Sequence, residues 1–494
     1  MKGLAKFLAG CLLFVYVVPV SAASSTPGQA DPPERPPEFY LYEPLSPPGQ
    51  MDQHLLYLPI VIRRTRISSD LADGWFLMVD DEHLLEIDGI ERVYHSFQKY
   101  RRNPVMVADQ SWEGRAIQLY GSVLPGFRMW YSSYNYDGHY SQILYAESGD
   151  GMQWNKPLLG EAGTNTLLDG QHASLVSVIH TPHDTNQLYK LMTYQDGGFY
   201  GYWSLDGIQA YPFSENPLFS NGGDVAQFYW DPSTLNYRGT AKGSKIIRGT
   251  SRKIVRFIES PDFIHWATRP ETFEPDLIDD ETAEGLYPHF YGLPVFAIGE
   301  QYLGLLWLFK ARDLSGSIGP VNVQLVSSHD GVNWIREEGD RPPILDLGPA
   351  GAWDDGQIYT ATQPIQVGDE LWLYYSGCDQ EHGVNLRATV CSIGLARIHY
   401  HRLASLQGSG TVLTDPITLP GPELQLNYDG RQGSIQVELW RDEKKIPGYE
   451  AENCAPLSEN RLDQTVSWSG QTSLPGGPFQ IKFYLQDSAL YAFR

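Results

Sequence analysis

The chain has 494 residues, with 36 Lys+Arg against 59 Asp+Glu, giving a formal net charge of −23. Only 19% of residues are charged while 13% are aromatic, which excludes an intrinsically disordered chain; the acidity, without any basic stripe, excludes an electrostatic nucleic-acid binder. The 48 Gly and 34 Pro follow no repeating period, so the composition points to a β-rich globular protein.

Residues 1–23 read as a secretory signal. Lys2 and Lys6 supply the positive start, Leu12 to Val20 the apolar run, and Ser21-Ala22 small residues for cleavage. The letters Leu8-Ala9-Gly10-Cys11 match a lipoprotein box, but that cysteine precedes most of the apolar run, so the expectation is cleavage and a secreted or periplasmic protein. No other stretch is long and apolar enough for a membrane span. Residues 24–54 are a Pro-rich linker or surface strap, with eight prolines between 24 and 50.

Residues 55–408 carry a repeat. Ser148-Gly149-Asp150-Gly151-Met152-Gln153-Trp154 has the pattern S-x-D-G-x-x-W, and related turns follow at Ser204-Leu205-Asp206-Gly207, Ser260-Pro261-Asp262-Phe263 and Ser328-His329-Asp330-Gly331. The aspartates lie 56, 56 and 68 residues apart, a period that indicates propeller blades. Asp and Gly suit tight turns, so these aspartates are expected to shape turns and not to catalyse. A fifth unit, Gln357 to Ile398, keeps the strands and loses the turn. Residues 55–98, including Trp75 to Val79, are expected to complete the ring in the last blade. The expectation is an all-β protein: a five-bladed β-propeller, then a β-sandwich over 409–494, where short alternating strands such as Ser434 to Leu439 and Phe479 to Phe483 replace the repeat.

Of the cysteines beyond the signal, Cys378 and Cys391 either pair across neighbouring strands or serve as small buried apolar groups, and Cys454 is left over.

In a propeller the innermost strand of each blade lines the central channel, so residues just ahead of those strands face a ligand. Glu113, Asp224, Glu284 and Asp355 occupy such positions in four of five units. Carboxylates gathered in one pocket suit glycoside hydrolysis, in which one must stay protonated and another ionised. Glu284 is the expected proton donor, because Leu286, Tyr287 and Tyr291 can desolvate it; Asp224, preceded by Gly222 and Gly223, is expected to stay ionised. Trp112, Trp353 and Tyr287 offer flat faces for sugar rings, although blade packing is the commoner role. His172 and Arg115 are expected to contact substrate.

These units, with Trp112-Glu113, Met129-Trp130-Tyr131 and Trp353-Asp354-Asp355-Gly356, resemble the five-bladed propeller glycoside hydrolases of families 32 and 43, most of all secreted members with a C-terminal β-sandwich. The resemblance spans roughly residues 70–494 and implies three acidic residues in the central pocket, which by position fall on Glu113 or Asp81, Asp224 and Glu284. It implies no required cofactor, with room for a structural Ca²⁺ in the channel beside His382. The W-M-N-D-P-N-G, R-D-P and E-C signatures of fructan hydrolases are absent, and Glu113 stands where family 43 has Asp. The expected partner is a carbohydrate, with no nucleic acid and with the oligomeric state open. The competing readings are a noncatalytic sugar-binding propeller, a sialidase-like enzyme and a polysaccharide lyase with a Tyr or His base and a cation that neutralises a uronate.

Overall fold

The computed structural model of the protein describes residues 74–135, 140–160, 163–168, 174–220, 223–298, 301–337 and 339–494. The expected signal and Pro-rich strap lie outside them. Within the described residues helix is confined to Leu277–Thr282 and the 3₁₀ turn Ala451–Asn453, and the rest of the regular structure is β.

The repeats fold as antiparallel meanders, each strand paired with the next in sequence. Ala116–Leu124, Arg128–Asn135 and Tyr140–Ser148 form one; Ser174–His180, Tyr189–Gln195 and Gly198–Ser204 a second; Ala226–Asp231, Asn236–Ile247, Thr250–Ser260 and Ala267–Phe273 a third. Tyr287–Gly292, Gln301–Ala311 and Val321–Ser328 follow, then Gln357–Thr360, Glu370–Cys378 and Cys391–His399. Single parallel pairings, Val321 with Gln357 and Cys391 with Ala116, stitch the last two meanders to each other and to the first.

Each Asp turn repeats one hydrogen-bond pattern. Asp150 Oδ1 accepts the backbone N–H groups of Met152 and Gln153, both at 2.8 Å. Asp206 does the same for Ile208 and Gln209, Asp262 for Ile264 and His265, and Asp330 for Val332 and Asn333. Gly151, Gly207 and Gly331 take the positive φ that the turn demands, at 73°, 76° and 72°. The third turn uses Phe263 at φ 69°, and that side chain is wholly buried against Tyr237 and Trp266, so packing offsets the backbone strain. The turns also clasp neighbours. The Tyr374 hydroxyl donates to the Gly151 carbonyl and the Trp130 indole to that of Gly207, each at 2.7 Å, and Arg238 Nη1 donates to the Asp330 carbonyl at 2.7 Å.

A second apolar core belongs to a sheet ordered Leu84–Tyr94, Ala404–Thr414, Gln480–Phe493, Gln425–Asp429, Asn460–Thr465, with Ser434–Arg441 also on the long strand Gln480–Phe493. It holds Leu406, Val412, Leu426, Val437, Trp468 and Phe483. This corrects the expected chain closure. Phe76–Leu77 pairs with the C-terminal strand and Leu84–Tyr94 with Ala404–Thr414, so this segment does not join the last meander; only Gln98–Lys99 does, on Ala396 and Arg397. The boundary expected at residue 408 falls inside a strand. Period-two alternation explains the placement: Trp75, Leu77 and Val79 enter the core that Leu305, Leu373 and Ala396 of the meanders share, while Phe76 and Met78 face the second. A segment with apolar residues on both faces has to lie between two cores.

Cys378 and Cys391 stand opposite each other on paired strands and form a disulfide, which leaves Cys454 as a buried thiol.

Candidate functional site

The four expected carboxylates sit in unlike settings. Glu113 is wholly buried and fully engaged: Tyr131 Oη donates to it at 2.7 Å, the backbone N–H groups of Asp109 and Gln110 at 2.9 and 3.0 Å, and Lys156 Nζ at 2.8 Å. A wholly buried carboxylate that accepts from four donors inside the fold is a structural anchor. Asp355 accepts the Gly351 N–H at 2.6 Å and shapes its own loop. Its neighbour Asp354 is buried, taking Lys99 Nζ at 2.7 Å and the Tyr375 hydroxyl at 3.0 Å, which ties the N-terminal strand to the last meander. Asp81 lies exposed beside Arg92, next to the second core. Glu284 is exposed, at φ 53° ahead of the strand Tyr287–Gly292, so the apolar desolvation expected of a proton donor is missing.

The aromatic candidates are packing groups. The Trp112 indole donates to Asn165 Oδ1 at 2.8 Å, Trp353 stacks on Tyr375 with centroids 5.7 Å apart, and Tyr287 lies 5.2 Å under the Arg252 guanidinium. Arg115 is exposed, and His172 lies outside the described residues.

Asp224 is different. It sits just ahead of the strand Ala226–Asp231 with its side chain 53% exposed, ion-paired to Lys242 Nζ. Lys242 comes from the next strand, where Ser244 pairs with Lys253 of the strand after it. Lys253 is therefore the diagonal neighbour of Lys242 on the same face. Lys242 Nζ lies 4.0 Å from the centre of the Tyr291 ring and Lys253 Nζ 6.0 Å from it. The ring of His382 lies 4.9 Å from Tyr291 and 5.1 Å from Phe309, and its Nδ1 is 3.1 Å from the Tyr359 hydroxyl. His289, two residues before Tyr291 on the same strand, stacks on Phe309 at 5.4 Å. Four strands and two loops thus converge on one cluster: Asp224, Lys242, Lys253, His289, Tyr291, Tyr359 and His382.

Burial and crowding set its protonation. Burial works to raise the Asp224 carboxyl, but the Lys242 ammonium overrides it and the net direction is down. Burial works to lower Lys242, and Tyr291 with Asp224 reverses it, so that ammonium is held charged. Lys253 is less well balanced: burial, then repulsion from Lys242, outweigh the pull of Asp224 and Asp313 and take it to about 8. Burial and the two lysines take His382 to about 4, and burial with Lys253 and Arg252 takes His289 to about 3, so both imidazoles are neutral at neutral pH. Burial also raises Tyr291, which keeps its phenolic proton. Among the described residues no group of three or more His, Cys, Asp or Glu side chains is arranged to hold a metal ion. The His382 ring is engaged with Tyr359 and flanked by two cations, so this donor set does not fit a resident divalent cation.

Of these residues the sequence singles out Asp224 and His382 as site groups and Tyr291 only as a neighbour that desolvates Glu284; Lys242, Lys253, His289 and Tyr359 were missed. A signal was present: two lysines sit in the middle of strands whose neighbours, Ala241, Ile254 and Val255, are buried.

No family model matches the chain. A stretch of 103 residues is 32% identical to the A type blood N-acetyl-alpha-D-galactosamine deacetylase of Flavonifractor plautii; it covers 21% of this chain and 12% of that protein's length. Among solved structures the chain is similar to that of an N-acetylgalactosamine deacetylase from F. plautii in complex with blood group B trisaccharide (15% identity, TM-score 0.42, 64% of this chain and 97% of the other). It is also similar to a glycosyl hydrolase from Bacteroides ovatus (13%, TM-score 0.44, 62% and 94%) and a thermostable family-43 glycoside hydrolase (14%, TM-score 0.44, 65% and 98%).

Proposed function

We propose that the chain is an exported carbohydrate-active enzyme of the glycoside hydrolase type, a five-bladed propeller carrying a C-terminal sandwich, that cleaves glycosidic bonds at Asp224. The observation that carries this reading is one solvent-accessible carboxylate, held ionised by Lys242, beside a wall of Tyr291, Tyr359 and His382. Asp224 takes the proton of the attacking water or stabilises positive charge developing on the sugar, and Tyr291, which keeps its phenolic proton, gives it to the leaving oxygen. Aromatic faces and neutral imidazoles supply the apolar surface and hydrogen bonds that sugar rings use. The purified full chain should release reducing ends from at least one member of a polysaccharide panel, and Asp224→Asn should abolish that release with the fold intact. A panel without any cleavage would overturn the reading.

The two lysines favour a second reading, elimination at a uronate. Lys242 and Lys253 would neutralise the carboxylate and acidify the neighbouring C–H, a base would take that proton, and the C4–O bond would break to leave a double bond in the product. Ultraviolet absorbance of an unsaturated uronate separates the two reactions.

A further inference from the structure

The cluster around Asp224 carries more cation than anion. Lys242 is matched by Asp224, but among the described residues no carboxylate is paired with Lys253, whose ammonium donates only to the Gly316 carbonyl. Asp313, on the same loop as Gly316, acts on Lys253 and His289 through space, and its own Oδ1 is held by Ser315 at 2.7 Å and the Ser317 N–H at 3.1 Å.

Beside Lys253 lies a second unmatched donor. His289 is 1% exposed, and its Nδ1 accepts the backbone N–H of Lys253 at 2.8 Å. That bond places the proton of the neutral ring on Nε2, which is buried and has no partner. Buried polar groups are nearly always satisfied, so an orphan N–H at the edge of a solvent-reachable cluster marks a place for an acceptor. Gly316 covers it thinly: at φ 65°, a Cβ there would sit 2.8 Å from Nε2 and 3.0 Å from Lys253 Nζ. One glycine thus borders both donors, and any side chain would fill the space they share.

We propose that this corner of the site is a subsite for an anionic substituent of the sugar, a carboxylate or a sulfate, whose oxygens accept from Lys253 Nζ and His289 Nε2. The inference rests on the carbohydrate reading above and adds the substrate class. The chain's net charge of −23 sharpens it: a polyanion is repelled by the surface at large, so a local cationic corner selects where it docks. An anion also supplies what Lys253 lacks, a partner charge at short range.

Calorimetric titration tests this with two matched probe pairs: oligogalacturonate against its carboxyl-reduced form, and a sulfated galactan oligosaccharide against its desulfated form. One acidic member is expected to bind about ten- to a hundredfold more tightly than its neutral partner, an advantage that shrinks with added salt. The pair showing it distinguishes carboxylate from sulfate. Lys253→Met should erase the advantage and Lys253→Arg should keep most of it; the wild-type acidic-to-neutral ratio stands even if Lys253→Met fails to fold. Equal or tighter binding of the neutral members, a ratio unchanged in folded Lys253→Met, or no binding by any probe overturns the proposal. Acidic binding through Lys253 without cleavage of any panel member overturns the hydrolase reading alone, and Asp224-dependent cleavage of neutral glycans only overturns the anion subsite alone.

Discussion

The Lys242 ammonium lies 4.0 Å from the centre of the Tyr291 ring while it is ion-paired to Asp224. Cation–π attraction and the ion pair together hold a nearly buried lysine charged, and that charge in turn keeps Asp224 ionised. The site's chemistry therefore depends on a lysine that need not touch the scissile bond. Lys242→Met should lower turnover and raise the pH at which Asp224 takes up its proton, moving the acid limb of the kcat/KM profile upward. A rate loss with an unmoved limb would restrict Lys242 to packing.

Glu113 is a stability prediction. Glu113→Gln keeps the shape but removes the charge that faces Lys156 and three other donors, at a cost of about 3 kcal/mol. A clear drop in Tm by calorimetry is expected, with specific activity per folded molecule retained. Loss of activity in a folded variant would return Glu113 to the list of catalytic groups.

The histidines set the acid limit of stability. His289 and His382 have folded pKa values near 3 and 4, below their ordinary 6.5. Between those values and 6.5 the unfolded chain binds more protons, so stability falls as pH drops through 6.5 towards 3. His289→Asn, which keeps an acceptor for the Lys253 N–H, should flatten that decline in urea-unfolding midpoints measured against pH.

Lys253 sets an alkaline limit on binding. With a pKa of about 8, lowered by burial and Lys242 against the opposing pull of Asp224 and Asp313, its ammonium is lost as pH rises. Affinity for the acidic oligosaccharide should fall above about pH 8 while any affinity for neutral sugars stays level, as titrations across that range would read out.

The turns should act on stability and leave chemistry alone. Gly207→Ala would push a methyl to 2.9 Å from Trp130 at a φ of 76°, which should cost roughly 1–3 kcal/mol. Unchanged kcat with a lowered Tm is the expected result.

Local chemistry made the turns and most strands readable in the sequence. Ser-x-Asp-Gly encodes its own hydrogen bonds within five residues, and alternating apolar positions mark strands wherever they occur, so both were legible without knowledge of the partners. The same locality explains the errors. Glu113 and Asp224 look alike as carboxylates ahead of an inner strand, yet Lys156, 43 residues on, buries one as an anchor, while the other stays open beside Lys242. Trp75 to Val79 reads as a strand from its own residues, but its place between two cores depends on Phe493 and Ala492 at the far end of the chain. The pairing of Lys242, Lys253, His289 and His382 is likewise a product of register and strand order. Those are set by which buried faces meet, and no short window of sequence contains that information.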